Sequence, residues 1–138
     1  MQHNNLLLFV YGTLRRSCPS GAHSQYLHGA KLLSPAKIRG LLFLIDYYPG
    51  LCINKKANEI CTSDWVKGEV YSLTNIAQLQ QLDSYEGCAS DSPYPHEYSR
   101  TLVDVTLPTG QLLKVWTYLY NGETSSLPFI ASGDFLQP

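Results

Sequence analysis

The chain has 138 residues, enough for one domain with its own core, held without disulfides or a metal. Hydrophobic residues make up 44% and charged residues 15%, a balance that excludes a disordered chain. The formal net charge is −1, and no basic run exceeds Arg15-Arg16 or Lys55-Lys56, which argues against nucleic acid or an anionic membrane surface as partner.

The first residues carry no basic leader and no small-residue cleavage site, and no segment is long enough to span a membrane. A cytoplasmic protein is therefore expected. Cys18, Cys52, Cys61 and Cys88 have no zinc-ribbon spacing and read as free thiols in a reducing compartment. His3, His23, His28 and His96 are scattered, and the His23/His28 interval of five fits no common helical ligand pair, so no metal is expected. The ten tyrosines suit a β-rich fold, with several available to line a pocket.

Residues 6–11 (LLLFVY) form an uninterrupted apolar run, as in a central strand buried on both faces, and Gly12 ends it. Residues 13–29 read as a loop and a short helix, with Ser20 as N-cap and Gly29 as stop. Strands are predicted over 30–34 and 37–46, with Pro35 marking an edge or break between them. Pro49-Gly50 is a turn signal, and 51–53 a short strand. Residues 66–73 (VKGEVYSL) read as another strand. Thr74 is the expected cap of a helix that runs to about Glu86 and is closed by Gly87. After a polar loop with Pro93 and Pro95, residues 97–107 and 111–120 give the clearest hairpin, turning at 107–110. Residues 127–138 read as a docked irregular tail. Strands first, one main helix, then a hairpin make an α+β protein without doubly wound alternation. No repeat or linker is visible, so residues 1–138 are taken as a single domain.

The helix carries an acid in an unusual place. At about 100° per residue, Ile76, Leu79 and Leu82 fall on one apolar face, and Glu86 falls between Leu79 and Leu82 at roughly 280°. A carboxylate on the buried side, at the negative end of a helix dipole, is disfavoured in its ionised form and should have a raised pKa. Such a group suits a general base that later acts as acid. A helix-end Glu can also curl into solvent or bond a neighbouring N–H. Asp83, at roughly 340°, is a rival on the same face, expected to make local hydrogen bonds near the helix end.

Tyr11-Gly12-Thr13-Leu14 follows the first strand directly. Gly12 allows a sharp turn and close ligand approach, and successive N–H groups there can receive a carboxylate or oxyanion, with charge added by Arg15 or Arg16. An ordinary strand-to-helix turn is the plainer alternative. A G-x-S-x-G motif is absent, and Cys18 near His23 in sequence does not make a dyad. Tyr98 and Arg100 share a strand face and could line a pocket mouth, or simply pack on neighbouring strands. Tyr118 and Tyr120 are similar.

FVYGTLRR at 9–16 together with LDSYEG at 82–87 resembles the gamma-glutamylcyclotransferase-like family, closest to its small gamma-glutamylamine cyclotransferase members. GEVYSL at 68–73, YSR at 98–100, ASGDF at 131–135 and the Gly21/His23/Ala30 spacing support the resemblance across nearly the whole chain. The chain departs from the pattern at Ser17, Ala22 and Phe135, where Gly, Asn and Trp are usual. The resemblance implies a small mixed β-barrel with helices packed outside, and no cofactor. It further implies Glu86 as catalytic acid/base and Tyr11, Gly12, Thr13 and Leu14 as the substrate-binding loop. The implied reaction turns a small-molecule gamma-glutamyl amide into 5-oxoproline and a free amine. A non-enzymatic ligand-binding module on the same scaffold, or removal of a gamma-glutamyl protecting group in a biosynthetic pathway, are the alternatives. A monomer is expected because no long apolar stripe is left over.

Overall fold

The computed structural model describes residues 5–53 and 64–138. Its elements in chain order are β1 (Leu7–Val10), α1 (Ala22–Tyr26), β2 (Lys31–Arg39), β3 (Leu41–Leu44), β4 (Pro49–Cys52), β5 (Trp65–Ser72), α2 (Ile76–Tyr85), β6 (Tyr98–Thr106) and β7 (Leu112–Tyr120).

Five strands close into a barrel in the order β1-β5-β2-β6-β7, while β3 and β4 pair as a separate ribbon. The barrel is mixed: β1 runs parallel to β7 at Leu8↔Trp116 and antiparallel to β5. Closure explains the unbroken apolar run of β1, because both of its faces are covered. Phe9 joins one core cluster with Tyr11, Ile38, Val66, Val70, Val105 and Val115. Leu8 and Val10 join a second with Leu79, Leu82, Tyr71 and Tyr118, between the barrel and the helices. Period-2 alternation thus divides one strand between two cores.

The hairpin forms as expected. β6 and β7 pair in continuous register from Tyr98↔Tyr120 to Thr106↔Leu112, and the turn is tied by Gly110 N–H to the Leu107 carbonyl at 2.8 Å. The tail docks without regular structure. Phe129 bridges Phe43, the Ile130 N–H bonds the Leu42 carbonyl, and the Lys67 N–H bonds the Gly133 carbonyl.

Several boundaries differ from expectation. β2 runs straight through Pro35, which pairs with Glu69, and the break falls at Gly40. Only at Lys37 does β2 register with β6, so Pro35 lies on a stretch with one neighbouring strand, a setting that tolerates the missing N–H. The local irregularity is a bulge between Leu32 and Ser34. Pro49-Gly50 begins β4 instead of making the turn. The turn is earlier, where Ile45 N–H bonds the Tyr48 carbonyl at 2.9 Å. The caps shift as well. Gly21 is the N-cap of α1, with Ser20 Oγ accepting from the Ala22 N–H, and Leu27 rather than Gly29 ends it.

For α2 the N-cap is Asn75, not Thr74. Asn75 Oδ1 accepts from the Gln78 N–H at 3.0 Å, and Gln78 Oε1 in turn accepts from the Thr74 N–H at 2.8 Å. This is a capping box shifted by one residue, with Gln in the reaching position. Gln78 Nε2 also donates to the Tyr26 and His28 carbonyls. The helix face turns accordingly: Gln78, Leu79 and Leu82 are buried, while Ile76, expected inward, is 44% exposed. Cys18, Cys52 and Cys88 are free, whereas Cys61 and His3 lie outside the described residues. No helix among the described residues is long and apolar enough to cross a membrane.

Candidate active site

The end of α2 sets the position of the acid. Gly87 takes φ +74, a left-handed conformation that glycine adopts without strain. The Cys88 N–H then bonds the Asp83 carbonyl at 2.9 Å and the Gly87 N–H bonds the Ser84 carbonyl at 3.1 Å. This pair of bonds is a Schellman closure, and it stops the helix at Tyr85 with Glu86 as C-cap.

Glu86 faces a cavity of about 230 Å³. Its walls come from four places. The end of β1 and the loop after it supply Phe9 to Leu14, the β3–β4 turn supplies Tyr47, Tyr48 and Pro49, the end of α2 supplies Tyr85 and Glu86, and β6 and β7 supply Tyr98 and Tyr118, with Glu97 just before β6. Tyr11, Gly12, Thr13, Leu14 and Glu86, separate in sequence, are therefore brought around one space. Six of the ten tyrosines line it.

The loop 12–14 is buried, yet no acceptor among the described residues takes the N–H of Gly12, Thr13 or Leu14. Buried N–H groups are almost always paired, so three consecutive unpaired ones in a loop that lines the cavity leave donors free for an acceptor. The reason for Gly12 differs from expectation. Its φ is not positive, and a Cβ there would come within 2.7 Å of Pro49 Cγ, so glycine lets β4 pack against the loop. Neither Arg15 nor Arg16 lines the cavity. Arg15 Nη1 donates to Asp134 Oδ1 at 2.7 Å and Nε to Glu69 Oε2 at 3.5 Å, and the Arg16 N–H donates to Glu69 Oε1.

Burial, followed by the charges of Glu97 and Asp83, raises the Glu86 carboxyl from its ordinary 4.5 to about 8. No donor among the described residues reaches this carboxylate, so nothing offsets those effects. Each of these causes favours the protonated form of Glu86.

Around it the phenols are fixed as neutral donors. Tyr11 Oη donates to the Tyr118 carbonyl at 2.6 Å and accepts from the Leu51 N–H, tying β1 to β7 and β4. Tyr98 Oη donates to the Pro49 carbonyl at 2.6 Å. Thr13 Oγ1 and Tyr85 Oη share a hydrogen bond at 2.8 Å. Burial pushes the Tyr11, Tyr98 and Tyr118 phenols well above the usual range.

Asp83 does not make the local bonds expected of it. Its Oδ1 accepts from Tyr118 Oη at 2.7 Å and from Arg100 Nε at 2.8 Å. Of the Tyr98/Arg100 pair, only Tyr98 lines the cavity. Arg100 lies behind it against the Trp116 ring, 4.3 Å from the centroid. Tyr118 lines the cavity, whereas Tyr120 packs edge-on to Tyr98. Cys18 and His23 form no dyad: His23 Nδ1 meets the Leu14 carbonyl and Cys18 Sγ meets Ser20 Oγ. Among the described residues, no group of three or more potential ligands could hold a metal.

Sequence reading missed Glu97 and Tyr48. The Tyr48 hydroxyl donates to Glu97 Oε2 at 2.6 Å across 49 residues. No periodicity links a turn tyrosine to a loop glutamate. The only local signal was a polar residue directly before a strand whose first tyrosine faces inward.

The fold and the cavity define a class: a small α+β barrel whose tyrosine-walled pocket holds a carboxyl with a raised pKa at the end of a helix and a second carboxylate at its edge. Comparison with known proteins places the chain within that class. Residues 8–137 match the family model described as gamma-glutamyl cyclotransferase, AIG2-like. The chain belongs to this family. It is 31% identical over 130 residues to the gamma-glutamylcyclotransferase family protein YtfP of Escherichia coli K12, covering 94% of this chain and 95% of that one. The solution structure of E. coli ytfP superposes with a TM-score of 0.64 at 30% identity, covering 94% of this chain and 96% of that one. The crystal structure of an AIG2-like protein from Mus musculus gives 0.69 at 25% identity, covering 94% and 88%. YkqA from Bacillus subtilis gives 0.71 at 25% identity; the match covers 97% of this chain but only 40% of that longer protein.

Proposed function

We propose that the chain cyclises a gamma-glutamyl amide to 5-oxoproline and releases the free amine. One observation carries this reading. In a chain of this family, a carboxyl raised to about 8 shares a cavity with three consecutive unpaired backbone N–H groups.

In the proposed reaction the substrate's α-amine nitrogen attacks its own γ-carbonyl carbon. A C–N bond forms and closes a five-membered lactam, the carbonyl π pair moves to oxygen, and collapse of that oxyanion breaks the original amide C–N bond. No water and no enzyme nucleophile take part. On becoming the lactam N–H the α-ammonium gives up two protons; Glu86 takes each in turn and passes it to the leaving nitrogen, which departs as an ammonium, so Glu86 ends the cycle as the carboxylate it began. The substrate arrives as an ammonium, and its positive charge favours the ionised carboxylate, so binding itself readies Glu86 as base. The N–H groups of Gly12, Thr13 and Leu14 receive the α-carboxylate or the developing oxyanion. The tyrosine walls hold the glutamyl chain bent so that amine and carbonyl meet, which removes an entropic barrier.

The test is to incubate the protein and its Glu86→Gln variant with a panel of gamma-glutamyl amides and detect 5-oxoproline by mass spectrometry. Glu86→Gln should lose on the order of 10²–10⁴ in rate, the usual size of an acid/base contribution. Near-normal turnover by the variant would refute the role of Glu86. Absence of product from every amide, with binding retained, would favour a ligand-binding module.

A further inference from the structure

The cavity has two chemically different ends. The loop 12–14 is buried and forms its floor, whereas Tyr47 and Glu97 are exposed at its rim. At the rim the Tyr48 hydroxyl holds Glu97 by Oε2 alone, and no donor among the described residues takes Oε1. Tyr47 lies edge-on to Tyr48 with ring centroids 5.0 Å apart, so aromatic surface flanks the carboxylate. Asp46 is near enough for its charge to act on the Tyr48 phenol. The lining holds no lysine, arginine or histidine. A group emerging past the floor thus meets a fixed carboxylate and two phenol rings, and no positive charge.

We propose that Glu97, seated by Tyr48, is the specificity residue for the leaving amine, and that this amine carries a second, protonated nitrogen. The substrate class is gamma-glutamyl conjugates of diamines and related cation-bearing amines. The proposal rests on the reading above that the glutamyl end occupies the floor, which leaves only the departing amine to reach the rim. A carboxylate attracts an ammonium and aromatic faces add a cation–π contribution. A leaving group with its own carboxylate, such as an amino acid, would face repulsion with no compensating cation. The charge of Glu97 also favours the protonated form of Glu86. A cation bound at Glu97 relieves that repulsion, so the matching substrate would assist formation of the base.

The experiment uses three amides of equal chain length, in which the gamma-glutamyl group is joined to butylamine, to 1,4-diaminobutane or to 4-aminobutanoate. Ratios of kcat/KM between them are read for the wild type and for Glu97→Gln, so any general effect of the substitution on turnover cancels. The wild type should prefer the diamine conjugate over the butylamide by about tenfold, the size of one ion pair plus one cation–π contact, with the carboxylate conjugate lowest. In Glu97→Gln the diamine-to-butylamine ratio should fall to near one. A wild-type ratio near one, or an unchanged ratio in the variant, overturns the proposal. Calorimetric titration of the same amides into Glu86→Gln and into the Glu86→Gln/Glu97→Gln double variant decides independently of turnover. If no amide yields 5-oxoproline, the proposed reaction fails, while the order of affinities still settles the role of Glu97. Equal affinities in both variants overturn it.

Discussion

Replacing Glu86 by Gln should make the protein more resistant to unfolding at alkaline pH, and the size follows from the cavity. A carboxyl raised to about 8 in the fold binds its proton more tightly than in the unfolded chain, where 4.5 is ordinary. The sign is fixed by that direction. Its contribution to stability is full below the unfolded value and is lost as pH rises through the folded one. At about 1.36 kcal/mol per pH unit, a fully buried group would cost at most about 5 kcal/mol by pH 9. Solvent reaches Glu86 through the cavity, so about 2–3 kcal/mol is expected between pH 5 and 9. Gln has nearly the same shape and no charge to desolvate. The assay is urea unfolding of wild type and Glu86→Gln at pH 5, 7 and 9. The difference between them should widen with pH in favour of the variant, other groups cancelling. A constant difference, or a wild type that gains on the variant as pH rises, would refute the claim that this carboxyl is strained in its ionised form.

For a neutral amide, kcat/KM should rise with pH through about 8 as Glu86 ionises. Glu97→Gln removes a negative neighbour and should shift that limb to lower pH; a limb that stays in place or moves up would contradict the coupling. Gly12→Ala drives a methyl against the Pro49 ring and should cost about 1–3 kcal/mol in urea unfolding, together with activity if the loop moves. Leu82→Ala empties a fully buried position under Glu86 and should cost about 2–5 kcal/mol in the same assay. Asn75→Ala should cost about 1 kcal/mol, a loss that would be absent were Thr74 the cap.

What could be read from the sequence was what local rules govern. The hairpin was legible because β-branched and aromatic residues flank a short turn, and β1 because both its faces are apolar. Glu86 stood out as an acid on an apolar helix face with a helix-stopping glycine behind it. The misreadings arose where distant partners decide. Pro35 looked like a break, but β2 has one neighbour there and needs no N–H from it. Pro49-Gly50 has turn chemistry, yet it opens β4, packed closely against Gly12 and Tyr120. Ile76 lost its place in the core to Gln78, whose amide is satisfied by carbonyls some 50 residues earlier in the chain. Asp83 bonds partners 17 and 35 residues away, and no helical wheel contains those contacts. Glu97 was invisible for the same reason.

The Schellman closure at Gly87 makes α2 a protractor for the acid. One residue added within the helix would rotate Glu86 by about 100° and carry it about 1.5 Å along the axis. The carboxyl would then no longer face the cavity. Residues gained or lost in the loop 88–97, beyond the stop, leave its bearing unchanged and move only the rim. The same chain can therefore vary what it admits without turning the group that would act on it, because direction is set on one side of a glycine and reception on the other.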